Sequence, residues 1–341
     1  MAVITLVHSE PTGAGLHPFD PRHHMRGVAE LVGSAFAEEM DARGRSMMRE
    51  MEIVGRFSPI LGSLLSMGFF EDFVSGFVWV EDGKVVGNVT LQGADAMGSR
   101  WRISNVAVAP KYRGRGIAGQ LMLASVREVA ERGGNWIILQ VRTDNPAAYG
   151  LYQRLGFTDL CRDGTWRLPV QPAHTPDLHP EVVLQRLRPT AWQPRLELAQ
   201  ASRSELAGWL SAIQEAKYRV DWGGWLAETL GRTIGLQKVG RWGVVQDGEL
   251  LGTVETWANR MEGTHRMRLA VRPVARGRLE VALVAQGLTT LAAAPRRPVI
   301  AEHSGDHIEG VSALEAAGFR PQRVLLTMRR AITPADRKLD I

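Results

Sequence analysis

The sequence contains one cysteine, Cys161, among its 341 residues. A single cysteine cannot close an intramolecular disulfide or build a cysteine-based zinc site, which excludes the small disulfide-rich secreted proteins. Apolar runs of ~18 residues are missing as well, so we expect no transmembrane helix. The first residues lack a basic segment followed by a long apolar one, and we expect no signal peptide. These absences predict a cytoplasmic protein that does not bind membranes, with Cys161 in a structural role.

Long runs of one charge are also missing. The 41 Lys and Arg residues against 36 Asp and Glu residues give a formal net charge of +5. Five or six consecutive basic residues occur nowhere, and no basic stripe is interleaved with aromatic residues, so we expect no nucleic-acid partner. The net positive charge instead favours a few arginines that bind a phosphorylated small molecule.

The histidines form no recognisable metal site. His303 and His307 are four residues apart, a spacing that suits ligands on a helix, but Gly305 lies between them and no third ligand follows. We interpret both as solvent-exposed loop residues, and we interpret the pair His23 and His24 in the same way. No bound metal is therefore expected.

Length and internal repetition predict two domains. The Asp-Gly pair at residues 82–83 recurs 165 residues later, Pro110 recurs as Pro273, and Gly156 recurs as Gly318. Three matches in the same order at a nearly constant offset indicate a duplicated domain. Four prolines between residues 169 and 180 mark the seam. We therefore predict domains at residues 1–170 and 182–341, joined by a linker at 171–181.

The hydrophobic pattern of the first copy predicts a mixed sheet flanked by helices. The predicted elements, in chain order, are a strand at 2–7, mostly helix at 21–67, the Asp-Gly hairpin, a strand at 102–108, a helix from Gly114 to about Arg132, a strand at 136–141, a helix at 146–155 and a strand pair at 157–168. We expect an α/β (α+β) protein of two tandem domains, each with a mixed, mostly antiparallel sheet.

The segment VAVAPKYRGRGIA at 106–118 predicts a phosphate-binding loop. A strand ends near Val108, and the chain passes two arginines and two glycines before it enters a helix. Free N–H groups at a helix start attract phosphate, and glycines let the backbone approach it closely. The alternative is an ordinary glycine-rich turn with solvated arginines. The loop has neither the Gly-Lys-Ser/Thr of nucleotide P-loops nor a Gly-x-Gly-x-x-Gly with an acidic partner.

A second pattern, NPAAYGLYQRLGF at 145–157, predicts a short capped helix. Asn145 suits the N-cap, Pro146 suits the first helical position, and Gly156 suits the left-handed stop at the end. Tyr152 falls on the inward stripe of this helix. The alternative interpretation is an ordinary amphipathic helix in which Tyr152 belongs to the core.

The two patterns together, in this order and spacing, resemble the GNAT superfamily of acyl-CoA-dependent N-acetyltransferases. The phosphate-loop pattern Gln/Arg-x-x-Gly-x-Gly/Ala is met by Arg113, Gly116 and Ala118. The later pattern is met by Asn145, Ala148, Leu151, Tyr152, Gly156 and Phe157. The resemblance is clear from the hairpin to Leu168 and loose over the first 70 residues.

The resemblance implies that acetyl-CoA is the co-substrate and that a primary amine attacks it directly. Tyr152 would protonate the departing thiolate, and N–H groups of the strand that ends at Val108 would stabilise the oxyanion. The acceptor is open between small-molecule amines and peptide amines. The implied cofactor-binding residues are Val106, Ala107, Val108, Arg113, Gly114, Arg115, Gly116, Ile117, Ala118 and Asn145.

The general base is not evident in the sequence. Many relatives use a glutamate on the strand that here ends at Val108, and this strand has none. Glu81, Asp144 and a water chain are the candidates, and an amine that arrives already neutral is a further alternative.

The second copy has lost the pattern. Leu279 and Leu314 stand at the positions of Gly116 and Tyr152, and a carboxylate, Glu280, follows Leu279. A leucine side chain blocks the close approach of an anion, and a carboxylate repels it. We predict a degenerate repeat that binds no CoA. It would act as an internal partner or wall the acceptor pocket, in a monomer with an internal pseudo-dimer or in a homodimer.

We therefore predict an N-acetyltransferase that works through its N-terminal domain. The alternative from another functional class is a non-catalytic acyl-CoA-binding or sensing protein that keeps the GNAT fold. A third interpretation is a tandem GNAT enzyme of the mycothiol synthase kind, but those relatives use the carboxy-terminal copy, whereas the intact pattern here lies in the amino-terminal one.

Overall fold

The computed structural model describes residues 13–36, 75–170, 181–210, 237–259 and 263–338, together with residues 215 and 218. These residues form two compact units. The first unit takes the described residues up to 141, residues 145–159 and those from 328 onward, and the second takes residues 142–144 and 160–327. Apart from Glu181, the predicted linker at 171–181 lies outside the described residues, and the predicted domain limits stay predictions.

The first unit is built on a sheet that matches the predicted hairpin and strand order. Its strands β1 to β5 lie side by side in that order. Only the pair β4–β5 is parallel, and the other three pairs are antiparallel. The turn between β2 and β3 has positive φ at Asp82 (51°) and Gly83 (69°), which confirms the Asp-Gly hairpin. The strands are β1 Gly15–Pro18, β2 Ser75–Glu81, β3 Lys84–Gly93, β4 Arg100–Val108 and β5 Trp136–Arg142.

Three helices belong to this unit: α1 Pro21–Ala35, α2 Ile117–Glu131 and α3 Pro146–Arg154. The N-cap of α1 is Asp20, whose side chain accepts a hydrogen bond from Arg22 N. The sequence predicts a start of α2 at Gly114, but the helix begins three residues later because Gly114 and Gly116 both have positive φ. Residues 2–7, and residues 37–67 of the predicted helical stretch, lie outside the described residues.

A single strand, β6 Thr158–Leu168, replaces the strand pair predicted over 157–168. The prediction is wrong because the strand continues through Gly164, which has no positive φ, and pairing continues across it. A Cβ at Gly164 would lie 2.9 Å from the ring of Trp166, so close packing explains this glycine. Cys161 on this strand is buried, and burial raises the pKa of its thiol, which agrees with a structural role.

The second unit repeats the element order of the first. A hairpin, a strand, a helix, a parallel strand, a second helix and a last strand follow one another, as the duplication predicts. Its strands lie in the order β6-β11-β10-β9-β8-β7. The elements are β7 Gln185–Arg186, α4 Trp192–Ala201, α5 Glu205–Leu210, β8 Gln237–Gln246, β9 Glu249–Asn259, β10 His265–Val271, α6 Glu280–Ala292, β11 Val299–Ser304, α7 Ile308–Ala316 and β12 Arg320–Ala331.

Each unit has an apolar core beneath its helices. In the first unit Val28 and Val32 of α1 pack with Val78 and Val80 of β2. In the second unit the fully buried Leu283 and Leu288 of α6 belong to the core. Among the helices of the described residues, none is both long and apolar enough to cross a membrane.

The second unit buries two histidines that the sequence analysis takes as exposed. His303 is 8% exposed and His307 is 3% exposed. His303 alternates with Val299 and Ala301 on the inward side of β11, and its ring lies edge-on to Trp166 with centroids 6.2 Å apart. His307 donates from Nε2 to a carboxylate oxygen of Glu280 at 2.8 Å. The predicted exposure is wrong for both, since strand alternation and a buried acidic partner hold them inside.

His23 and His24 differ in exposure. His24 is 5% exposed, whereas His23 has an exposed ring, so the predicted exposure is wrong only for His24. The buried face of α1 explains the difference, because His24 lies on it with Met25 and Val28. Across the ranges that the structure describes, no three His, Cys, Asp or Glu side chains are grouped in a way that could hold a metal ion.

Burial of His303 predicts a pH dependence of stability. Burial lowers the pKa of His303 from 6.5 to about 4, so the unfolded chain binds a proton at this site that the folded chain does not bind between these values. Stability therefore falls as pH drops through this window, by about 2 kcal/mol from pH 6.5 to 4.5. Denaturant unfolding of the wild type and His303→Gln at several pH values should show a smaller loss in the variant. The exposed-ring control His23→Gln should keep the wild-type loss, and equal losses in all three proteins would contradict the prediction.

Candidate functional site

The loop between β4 and α2 presents an open helix N-terminus. A short 3-10 turn, Pro110–Tyr112, leads to Gly114 (φ 77°) and to the N-cap Gly116 (φ 78°). The first hydrogen bond of the helix runs from Gln120 N to Gly116 O at 3.1 Å. The N–H groups that precede Gln120 in the first turn therefore have no acceptor within the helix, and residues 113–116 are exposed. Such a terminus attracts an anion.

Two guanidinium groups are anchored at this loop. Arg113 donates from Nε to the carbonyl oxygen of Val108 at 3.0 Å. Arg115 donates from Nη2 to Glu81 at 2.7 Å and lies over the ring of Tyr112, 5.4 Å from its centroid. Both cations thus remain close to the free N–H groups.

Strand β4 separates from β5 near its end. Parallel pairing covers four residues of β4 and stops at Ile103, which pairs with Leu139. Beyond this point no described strand pairs with β4 on that side. A bulge also interrupts the pairing of β4 with β3 between Asn88 and Thr90, and Asn105 at the bulge has a φ of 53°. The end of β4 therefore offers backbone groups to a ligand.

Helix α3 has the caps that the sequence predicts. Asn145 is its N-cap, and the side-chain oxygen of Asn145 accepts from Ala148 N at 3.1 Å. Pro146 opens the helix, and Gly156 after it has a φ of 82°. A Cβ on Gly119 in the first turn of α2 would lie 3.9 Å from Leu151 of α3. The fold thus brings the start of α2 against α3.

Tyr152 lies on the buried side of α3. The residue is 6% exposed, and its ring packs on Phe157 with centroids 6.0 Å apart. Burial raises the pKa of its phenol to about 12, so the hydroxyl keeps its proton at neutral pH. The phenol therefore carries its proton at neutral pH and cannot act there as a base.

The two carboxylates considered as a general base are both in ion pairs. Glu81 holds Arg115, so it belongs to the rim of the loop. Asp144 pairs with Arg142, and this hydrogen-bonded cation lowers the pKa of the Asp144 carboxyl. The lowered pKa makes Asp144 a weaker proton acceptor.

The corresponding helix start of the second unit is closed. The N-cap of α6 is Leu279, which is buried and has a φ of −110° instead of a left-handed value. The carboxylate of Glu280 is buried and accepts from Leu279 N at 3.1 Å, from the N–H groups of Gly277 and Glu280, and from His307. At the position of Tyr152, Leu314 is fully buried. The carboxylate of Glu280 thus occupies the N-terminus of α6, whereas the corresponding N-terminus of α2 in the first unit is open.

The sequence analysis missed the polar groups at the bulge of β4. Asn88 is 1% exposed and Thr90 is 7% exposed, on a strand whose other central residues are apolar. An asparagine within such an apolar strand is a signal that could have drawn attention to the site, because a buried amide needs specific partners. The pairing of Asn88 with β4 itself is nonlocal, and no local pattern reveals it.

Comparison with known proteins agrees with this geometry. Residues 20–157 match the family model of the acetyltransferase (GNAT) family. The chain is 36% identical over 83 residues to N-alpha-acetyltransferase 30 of Schizosaccharomyces pombe, which covers 24% of this chain and 55% of that protein. It is 27% identical over 163 residues to mycothiol acetyltransferase of Renibacterium salmoninarum, which covers 47% of this chain and 45% of that protein. The chain thus spans about half the length of these curated relatives.

The fold of nearly the whole chain is shared with a solved structure. A GCN5-related N-acetyltransferase from Sphaerobacter thermophilus superposes with a TM-score of 0.55 at 15% identity, covering 94% of this chain and 96% of that one. This likeness concerns the fold, and the family match concerns the segment that carries the open loop and α3. The chain therefore carries a domain of the GNAT acetyltransferase family at residues 20–157.

Proposed function

We propose that this chain is an N-acetyltransferase that transfers an acetyl group from acetyl-CoA to a primary amine in its first unit. The observation that carries the proposal is the open N-terminus of α2, which lies next to a strand end without a partner on one side. The two features together suit a ligand with an anionic end and an extended arm. The GNAT domain match over the same residues supports this choice of ligand.

The loop suits the pyrophosphate of CoA. Backbone N–H groups from Arg113 to Ala118 would bind its oxygens, and the guanidinium groups of Arg113 and Arg115 would balance its charge. A Cβ on Gly114 or Gly116 would meet no atom within 4 Å, so their left-handed backbone, and not a lack of space, makes glycine necessary. This conformation directs the chain into the helix.

The end of β4 and the start of α3 suit the rest of the cofactor. The pantetheine arm would lie along Val106, Ala107 and Val108, and the amide nitrogen of Asn145 remains for it because the side-chain oxygen caps α3. The N–H groups of the same strand segment would face the thioester carbonyl. They would stabilise the negative charge that develops on this oxygen in the transition state.

The transfer needs a proton donor at the sulfur. The amine nitrogen forms a bond to the acetyl carbon, the carbon–sulfur bond breaks, and the amine loses a proton to solvent. Tyr152 would protonate the departing thiolate, since its phenol carries a proton at neutral pH. Because Glu81 and Asp144 are in ion pairs, the acceptor would react as a neutral amine. Peptide α-amines and small-molecule amines both fit this chemistry.

The second unit, in this proposal, binds no CoA. Leu279 fills the close-approach position, and Glu280 already satisfies the N–H groups that a phosphate would need. An anion brought there would meet a buried carboxylate. The pair of Glu280 and His307 would hold the start of α6 to the start of α7 without a cofactor.

Tyr152→Phe should separate binding from turnover. Loss of the hydroxyl removes the proton donor but keeps the ring, so kcat should fall by about 10²-fold or more, while the Kd of acetyl-CoA stays within about threefold. CoA release over a panel of peptide amines, polyamines, amino sugars and amino acids, together with calorimetric binding, checks this. Tyr149→Phe, on the same helix, should keep full activity.

Two outcomes would contradict this prediction. Full turnover by Tyr152→Phe would remove Tyr152 from the mechanism. A wild type that binds acetyl-CoA but acetylates no amine in the panel would favour an acyl-CoA sensor instead.

Gly116→Val should abolish tight acetyl-CoA binding. A β-branched residue strongly disfavours the left-handed backbone at this N-cap, so we expect a loss of affinity of at least about tenfold. Gly133→Val is the matched control, since Gly133 has a φ of 76° at the other end of α2. Calorimetry should give one acetyl-CoA per wild-type chain. Two bound molecules per chain, or equal affinities of the two variants, would disprove this assignment.

Glu280→Ala should destabilise the protein without opening a second cofactor site. Removal of the carboxylate leaves the buried His307 and the N–H of Leu279 without their acceptor, and each buried polar group left unsatisfied costs about 1–3 kcal/mol. Urea unfolding at pH 7 should show this loss, with acetyl-CoA stoichiometry unchanged. Glu309→Ala is the control, because Glu309 is half exposed and lies 3.9 Å from the same histidine. Equal stabilities of the two variants would show that the Glu280 pair does not hold this region.

A further inference from the structure

The bulge of β4 is held in place by one buried side chain. β3 and β4 pair at Gly87 with Val108 and at Asn88 with Ala107, and the next pair is Thr90 with Ser104. Val89 therefore faces two residues, Asn105 and Val106. Asn105 has a φ of 53°, in the left-handed region, which asparagine enters more readily than most residues other than glycine.

Asn88 supplies the contact that holds this conformation. Its side-chain Nδ2 donates to the backbone carbonyl of Asn105 at 2.9 Å and to the hydroxyl of Thr90 at 3.4 Å. The side-chain Nδ2 of Asn105 donates to the same hydroxyl at 3.3 Å. Because Asn88 is 1% exposed, water does not compete for these bonds. The direction of the Asn105 carbonyl is thus fixed from the neighbouring strand.

The second unit provides an internal comparison. Its pairs Gly252 with Val271 and Thr253 with Ala270 match the pairs of Gly87 and Asn88 in the first unit. Pairing there continues without a shift through Val254 and Leu269. Threonine thus stands at the position of Asn88 in the unit that has a regular strand pair and a closed helix start. Asparagine stands at this position in the unit that has the bulge and the open helix start.

We propose that Asn88 is a positioning residue for acetyl transfer, which fixes the bulge at Asn105 so that the N–H group of Val106 faces the thioester carbonyl. This inference rests on the proposed function. The peptide plane that contains the Asn105 carbonyl also contains the N–H group of Val106, on the opposite side of a trans peptide bond. A hydrogen bond that draws this carbonyl toward β3 therefore directs the N–H group of Val106 away from β3. Asn88 itself touches neither substrate nor reacting atoms in this role.

Asn88→Thr tests the role, because the second unit shows that a threonine fits a paired strand at this position. A misdirected oxyanion donor should lower kcat by about 10–100-fold, while the Kd values of CoA and acetyl-CoA stay within about threefold. Asn88→Asp, which keeps the shape but loses the donor, should behave in the same way. Rates are divided by the calorimetric acetyl-CoA stoichiometry of each variant, so that misfolded protein does not count.

The control is Ser125→Ala, which alters a buried polar residue of α2 whose hydroxyl only bonds the backbone of Leu121. This variant should keep the wild-type kcat. An active wild type whose normalised kcat is unchanged in both Asn88 variants would overturn the inference alone. A tenfold or larger loss of CoA affinity in both Asn88 variants would also overturn it, because Asn88 would then be needed for cofactor binding and not specifically for acetyl transfer. A wild type that binds acetyl-CoA but transfers nothing would overturn the proposed function and the inference together.

Discussion

The first turn of α2 leaves N–H groups without acceptors within the helix, and the proposed chemistry of the first unit depends on the group that accepts their hydrogen bonds. Gly114 and Gly116 bring the chain from β4 into the helix through left-handed backbone, which leaves this turn exposed at its end. A polar group in this position needs an external acceptor. An anion is the natural partner, because the helix dipole adds to the attraction. In the proposed function this partner is the pyrophosphate of the cofactor.

The two units solve the same helix-capping problem in different ways. In the first unit the N-cap is a glycine without a side chain, and the acceptor must come from outside. In the second unit Glu280 supplies the acceptor from its own side chain, and His307 accompanies it. The same element order therefore supports an open and a closed helix start. The residue that follows the N-cap decides between them, since Ile117 offers no acceptor and Glu280 offers two oxygens.

Local chemistry could be predicted from the sequence, and nonlocal packing could not. The Asp82-Gly83 turn and the caps of α3 follow from backbone preferences of a few neighbouring residues, and the structure has them as predicted. The strand pair predicted over 157–168 is wrong, and the glycine within this strand, Gly164, is explained by the approach of Trp166. Burial of His303 depends on a partner strand far away in the sequence. The bulge at Asn105 depends on a side chain of β3 for the same reason.

The groups assigned to the transition state are ones that keep their protonation near neutral pH. Backbone N–H groups do not titrate, and the buried phenol of Tyr152 keeps its proton far above pH 7. The carboxylates that could have served as bases are held by Arg115 and Arg142. In the proposed mechanism, stabilisation would then come from the placement of dipoles, which a protein can fix by packing and hydrogen bonds. If Asn88 has the proposed role, this buried amide would contribute to the reaction without contact to the substrate, by setting the direction of one peptide plane.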